Sequence, residues 1–195
     1  MRPAFELVTA PAAEPVTQAT AKAHCRVTSA AEDDLFDRLI VAARRHIEST
    51  YGLAIIDQTH KATLDAWPVR GLELTPYPVS ALSSVKVWNG STLVTQTASL
   101  YQLLPGRPGR VVLADNATPA VPGRTRAGIV VEFVAGFGDT DADTPEDVTQ
   151  ALLMLIAHWY ENRETVIIGA KETKVSSEVS RGVSDLLFPY RGFRL

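Results

Sequence analysis

No long helix can run through residues 55–134, and that constraint sets the outline of the fold. Proline and glycine interrupt this stretch repeatedly, and short runs rich in Val, Ile, Leu, Thr and Tyr lie between them. Proline removes a backbone donor and glycine costs chain entropy, so short strands survive such punctuation where helices do not. The pattern predicts strands at Gln58–Asp65, Leu72–Leu74, Val85–Trp88, Leu93–Gln96, Tyr101–Leu103, Arg110–Leu113 and Gly128–Phe133. Trp88-Asn-Gly-Ser91 puts Asn-Gly between two of them, a tight-hairpin signal. Pro105-Gly-Arg-Pro-Gly109 marks another turn, and Pro76-Tyr-Pro78 holds its segment extended.

On both sides of this stretch the period changes. Ser29-Ala-Ala-Glu32 has capping-box spacing and opens a helix over about 30–51. Its stripe is Leu35, Leu39, Ala43 and Ile47, with Phe36 and Ile40 beside it. Glu32, Asp33 and Asp34 in the first turn, and Arg44, Arg45 and His46 toward the end, suit the helix dipole. Gly52 is the stop. A second helix opens at Thr144-Pro145-Glu146-Asp147, with threonine as cap and proline in the first turn. Val148, Leu152, Leu155, Ile156 and Trp159 form its apolar side, and it ends near Arg163. Thr17 caps a short helix, Gln18–Arg26.

Residues 1–15, with Pro3, Pro11 and Pro15, read as an extended arm. Residues 165–182 are polar and weakly patterned. Ser184–Leu187 makes one helical turn before Pro189, and Tyr190–Leu195 is an aromatic and basic tail. The expected class is α+β: long helices form the subunit core, with an inserted small antiparallel β-region and extended N- and C-terminal arms. A single domain 1–195 divides into arm and short helix (1–28), long helix (29–54), β-region (55–134), second long helix (144–164), and polar segment with tail (165–195).

Composition narrows the function classes. A net charge of −3 gives no global pull toward nucleic acid or anionic lipid. One cysteine, Cys25, excludes an internal disulfide and a multi-cysteine zinc site. Met1–Ala13 lacks a basic region followed by an apolar run, so no signal peptide is expected there. Ala151–Ala157, the longest apolar run, is too short to span a bilayer. The charge is uneven: residues 135–164 carry 1 basic and 7 acidic side chains, and residues 165–195 carry 5 basic and 3 acidic. Such asymmetry can guide assembly between copies or partners.

No catalytic, cofactor-binding or metal-binding set emerges. His24, His46, His60 and His158 are never paired at metal-ligand spacing. Asp139, Asp141 and Asp143 alternate as calcium ligands do. An EF-hand loop, however, needs glycine at its sixth position and glutamate at its twelfth, where this chain has Thr144 and Gln150. They read as an acidic approach to the helix. Gly136-Phe-Gly138 is no phosphate loop, since no Gly-Lys-Ser/Thr follows and acids do. No Gly-x-Ser-x-Gly elbow exists. Cys25 shows no local sign of thiolate activation. Glu161, Arg163 and Glu164 read as an exposed charged helix end.

Several blocks together resemble phage head–tail connector (adaptor) proteins of long-tailed phages, including gene transfer agent adaptors. They are Pro15–Val27, then Asp33-Asp34 with Leu39–Glu48; Gly52–Thr59, where the sheet begins; Val131–Gly138 running into Pro145 and Gln150–Arg163; and the ending Leu186–Arg191. Their order covers nearly the whole chain. Cys25 stands where the family pattern leads one to expect an aliphatic residue, and residues 168–180 match least.

The resemblance implies a virion structural protein of the neck, made in the bacterial cytoplasm, with no cofactor, no metal and no membrane. Copies would form a ring, expected to be a dodecamer, beneath the portal protein. The ring would join the portal to a downstream neck or tail-terminator protein, and double-stranded DNA would pass through its centre without specific binding. The expected portal-contact tail is Leu186, Leu187, Phe188, Tyr190, Arg191, Phe193 and Arg194, and deleting 183–195 is expected to spare folding. Channel-side acids would be Asp139, Asp141, Asp143, Glu146 and Asp147, since a negative lining lets DNA slide. The alternatives are another neck component such as a tail-completion protein, a small bacterial enzyme, and a monomeric DNA-binding module, the last disfavoured by the net negative charge.

Overall fold

A computed structural model describes residues 3–162, 179 and 181–191. In chain order the elements are β1 (Ala4–Thr9), α1 (Gln18–His24), α2 (Asp33–Tyr51), β2 (Gln58–Leu64), β3 (Leu72–Leu74), β4 (Val79–Trp88), β5 (Leu93–Thr95), β6 (Tyr101–Leu104), β7 (Gly109–Leu113), β8 (Ile129–Ala135) and α3 (Glu146–Glu161). The fold thus mixes helices with antiparallel sheet. One sheet has the order β1-β2-β8-β4-β5 and the other β3-β7-β6.

The stretch barred to helices builds most of both sheets. Along β2 and β8 buried and half-buried residues alternate strictly, because successive side chains point to opposite faces. His60 of β2 lies opposite Phe133 of β8 in the register, and their rings stack at 5.7 Å. The Asn-Gly hairpin forms as expected: Asn89 Oδ1 accepts from the Ser91 and Thr92 amides at 2.9 and 3.0 Å, joining β4 to β5.

Two elements exceed the sequence reading. The N-terminal arm is a sheet strand, β1, paired antiparallel with β2. Strand β4 starts at Val79, ahead of the predicted Val85, and its pairing with β8 carries register shifts at Val79/Ala81 and Leu82/Ser84. Serine and alanine there have weak strand preference, and the ladder offered by β8 overrides it. On the solvent side Glu132 of β8 accepts from Ser84 Oγ at 2.9 Å and from Lys86 Nζ at 2.8 Å. The Lys86 hydrogen bond holds the Glu132 carboxyl below its ordinary range, against its desolvation. A depressed carboxylate adds stability above its unfolded pKa, and that stability is lost as pH falls through the folded pKa. Glu132→Gln should therefore flatten the acid limb of a urea-midpoint-against-pH curve by less than about 1 kcal/mol, because the pair is partly hydrated.

The apolar interior has two parts. One joins Phe36, Ile40, Ala43 and Ile47 of α2 to Val148, Leu152 and Ile156 of α3. The other lies among the strands, around Leu74, Val85, Val111, Ile129, Val131 and Phe133. On α2 the fully buried line runs through Phe36 and Ile40, while Leu35 and Leu39 are only half-buried. The inward face therefore takes Phe36 and Ile40 in the first half of the helix and the predicted Ala43 and Ile47 in the second. Gly52, at φ 71°, ends the helix as expected.

The caps divide. Thr17 Oγ1 accepts from the Thr20 amide at 3.1 Å and caps α1; Thr17→Ala should cost about 1 kcal/mol in urea unfolding. Ser29 Oγ accepts from the Ala31 amide at 3.2 Å, but it starts a 3-10 turn, Ala30–Glu32, and α2 proper begins at Asp33. Thr144 does not cap α3, where Pro145 occupies that position. The Thr144 hydroxyl is buried without a hydrogen-bond partner among the described residues.

Arg44, expected only as a dipole partner toward the end of α2, is buried. Its Nε and Nη2 donate to Glu14 at 2.7 and 3.0 Å, and its Nη1 donates to Glu48 at 2.9 Å. Burial opposes the guanidinium charge, but the two carboxylates outweigh it and hold its pKa up. Glu48 also accepts from the Ile55 amide at 3.1 Å and from Gln58 Nε2 at 3.0 Å. Burial is its larger influence and pushes its carboxyl up, against those partners. This network ties residue 14, α2 and the entry to β2 together.

Candidate assembly surfaces

The C-terminal segment is where the fold corrects the sequence reading most. Residues 181–186 are helical and Phe188–Tyr190 is a 3-10 turn. Val183, Leu187 and Tyr190, spaced four and three apart, are buried against α2 and α3. Tyr190 Oη donates to Asp147 Oδ1 at 2.7 Å. Its ring meets Phe137 edge-on at 5.8 Å, and the Arg107 guanidinium lies 4.8 Å from its centroid. Burial first, then the Asp147 carboxylate, pushes the Tyr190 phenol up to about 12, with Arg107 opposing. The Tyr77 hydroxyl lies 2.8 Å from both the Tyr51 and the Tyr190 carbonyl oxygens, so one proton serves two acceptors. Arg107 Nη1 donates to the Pro189 carbonyl at 2.9 Å.

Leu187 and Tyr190 therefore hold the segment onto its own subunit and are not presented outward. Leu186 is half-buried, whereas Phe188 (56% exposed) and Arg191 face solvent. Phe193 and Arg194 lie outside the described residues. Deleting 183–195 would remove core side chains, so the expectation that it spares folding is withdrawn.

The acids also separate. Asp143 Oδ2 accepts from Thr140 N at 3.1 Å and Oγ1 at 2.8 Å. Those hydrogen bonds hold its carboxyl below the ordinary range. Asp147 serves Tyr190. Asp139, Asp141 and Glu146 are exposed. Asp57 lies beside this loop, and its carboxyl is pushed up by burial and by the charges of Asp139 and Asp143, against a Ser80 hydrogen bond. Among the described residues no group of three or more His, Cys, Asp or Glu side chains is placed to hold a metal ion, and no helix is long and apolar enough to cross a membrane.

The glycines of Gly136-Phe-Gly138 serve a close approach of two backbones. The Gly136 and Phe137 amides donate to the Pro78 and Ile55 carbonyls at 2.9 and 3.1 Å, and the Asp57 amide donates to the Gly138 carbonyl at 2.9 Å. Burial and the charge of Glu161 raise the Cys25 thiol, the reverse of activation. Sequence reasoning gave no sign of a cleft of about 370 Å3 lined by Glu14, Val16, Gln18, Asp37, Ile40, Val41 and Asp141, among others. Its walls come from three separate parts of the chain, which only the fold brings together.

A family of head completion proteins matches residues 16–193. No curated protein matches the chain. Among solved structures, a chain of the neck of an empty gene transfer agent particle, computed with C6 symmetry, is 27% identical with a TM-score of 0.77, over 98% of this chain and 97% of that one. A chain of the neck of a native particle, computed with C12 symmetry, is 25% identical with a TM-score of 0.68, over 98% and 97%. A chain in the virion of a native gene transfer agent shares the fold at 24% identity and a TM-score of 0.77, over 98% and 96%. The family match takes in every block that carried the resemblance to connector proteins, apart from Pro15 at its edge, and bears that resemblance out. The chain belongs to the head completion protein family.

Proposed function

We propose that this chain is a head–tail connector subunit, a structural part of the particle neck and not an enzyme. The observation that carries the proposal is the likeness, over 98% of this chain, to a neck chain of a gene transfer agent particle. Copies form a ring beneath the portal protein and join it to a downstream neck or tail-terminator protein. A neck computed with C12 symmetry supports twelve copies, and a C6 description of another is compatible with that number. DNA passes through the centre. The exposed acids Asp139 and Glu146 are proposed to face it, because a lining without Lys or Arg does not neutralise phosphates. Phe188 and Arg191, with the residues beyond them, form the portal-facing end.

Removing the gene from a particle-producing cell tests this. Electron microscopy should show heads and tails as separate objects, and the intact chain supplied in trans should rejoin them. Particles with unchanged necks and attached tails would overturn the proposal.

A further inference from the structure

A ring with cyclic symmetry needs two different, mutually complementary patches on every copy. The subunit carries such a pair. The first is the turn after β2. The Gly71 amide donates to the Pro68 carbonyl at 3.1 Å, which puts Val69 and Arg70 at the apex. Gly71 is required there: its φ is +85°, and a Cβ would lie 2.7 Å from the Val111 carbonyl. Trp67 packs on Tyr101 at 5.1 Å, and Asp65 accepts from the Ala127 amide at 2.6 Å. The tip is thus held in place before any docking, which lowers the ordering cost of binding. It presents Val69, 103% exposed, beside exposed Arg70, and Arg126 stands next to Ala127 on the loop tied to it.

The second patch is the cleft between residues 13–18 and α2. Val16, Ile40 and Val41 give it apolar walls, and Glu14, Asp37 and Asp141 supply acids. Arg44 is committed to Glu14 and Glu48. The cleft joins the acidic loop next to the start of β2, where Asp57 bonds Gly138. The turn follows the other end of β2, about 20 Å away along a seven-residue strand. The two patches therefore meet only between copies.

We infer that the Pro68–Gly71 turn of one copy seats in the cleft of the next, with Val69 on Val16 and Val41 and Arg70 against Asp37 and Asp141. The inference rests on the ring reading and names the contact that closes it. Both halves lie on one chain, with apolar matched to apolar and cation to acid, so the occupant is a second copy.

The test uses full-length chain in assembled particles. With Cys25→Ser as background, Val69→Cys combined with Val41→Cys should give, on mild oxidation, a ladder of covalent multimers beyond the dimer. Neither single variant should do so. Arg70→Glu should lower the copies per particle about tenfold, and adding Asp37→Arg should restore them, with melting curves unchanged throughout. Necks that contain the protein but give no ladder and no rescue overturn the inference and leave the connector reading standing. A cross-link to a different neck protein overturns it too. A chain absent from necks overturns both readings.

Discussion

A chain ending before Val183 should be largely unfolded in water at 25 °C. It loses Val183, Leu187 and Tyr190, all buried in the helical part of the core. Burial of such side chains contributes about 2 kcal/mol each, so about 6 kcal/mol goes, before counting Asp147 and Tyr77, which lose partners. Domains of this size are stable by only about 5–15 kcal/mol. Far-UV circular dichroism and a urea titration measure the outcome. Leu187→Ala alone should cost about 3 kcal/mol. Attachment defects seen with C-terminal truncations therefore say nothing about the portal unless folding is checked first. Changes at exposed Arg191 test the proposed portal contact apart from folding.

Gly136→Ala should cost about 3 kcal/mol, the upper end of overpacking penalties. The added Cβ would lie 2.4 Å from the Asp57 amide nitrogen and 2.5 Å from its Cα. Those are backbone atoms, and they cannot swing aside without breaking the bonds that lace residues 55–57 to 136–138. Gly90 is the comparison: its φ is +106°, yet nothing stands within 4 Å of its Cβ position. Gly90→Ala should cost only the strain, about 1 kcal/mol. Equal losses at the two positions in urea unfolding would show that collision is not the cause at Gly136.

What the sequence disclosed follows from which signals are local. Alternation along 58–64, the Asn-Gly hairpin, the Thr17 cap and the Gly52 stop are decided by neighbours in the chain, and all appear in the fold. Strand β1 was legible only as an extended arm, because what makes it a strand is β2, some fifty residues later. The first half of β4 has the same origin in β8. The inward face of the C-terminal segment was legible in principle: Val183, Leu187 and Tyr190 have helical spacing, and Phe188 falls off that line. The aromatic and basic tail drew attention outward instead. Of the acids, nothing in the local pattern separates Asp147, bound to Tyr190, from exposed Glu146 beside it. That distinction belongs to contacts between residues far apart in sequence.

The central place of β8 has a consequence for synthesis. It stands between β2 and β4 and pairs with both, so the larger sheet has no middle until residue 135 leaves the ribosome. The apolar face of α2 waits longer, for α3 and then for Leu187. Pairings of such long sequence separation form slowly, and until they form β2 and β4, already flanked by β1 and β5, each carry one unpaired edge. The nascent chain is therefore a natural client for chaperones. The fold closes only once Leu187 has emerged.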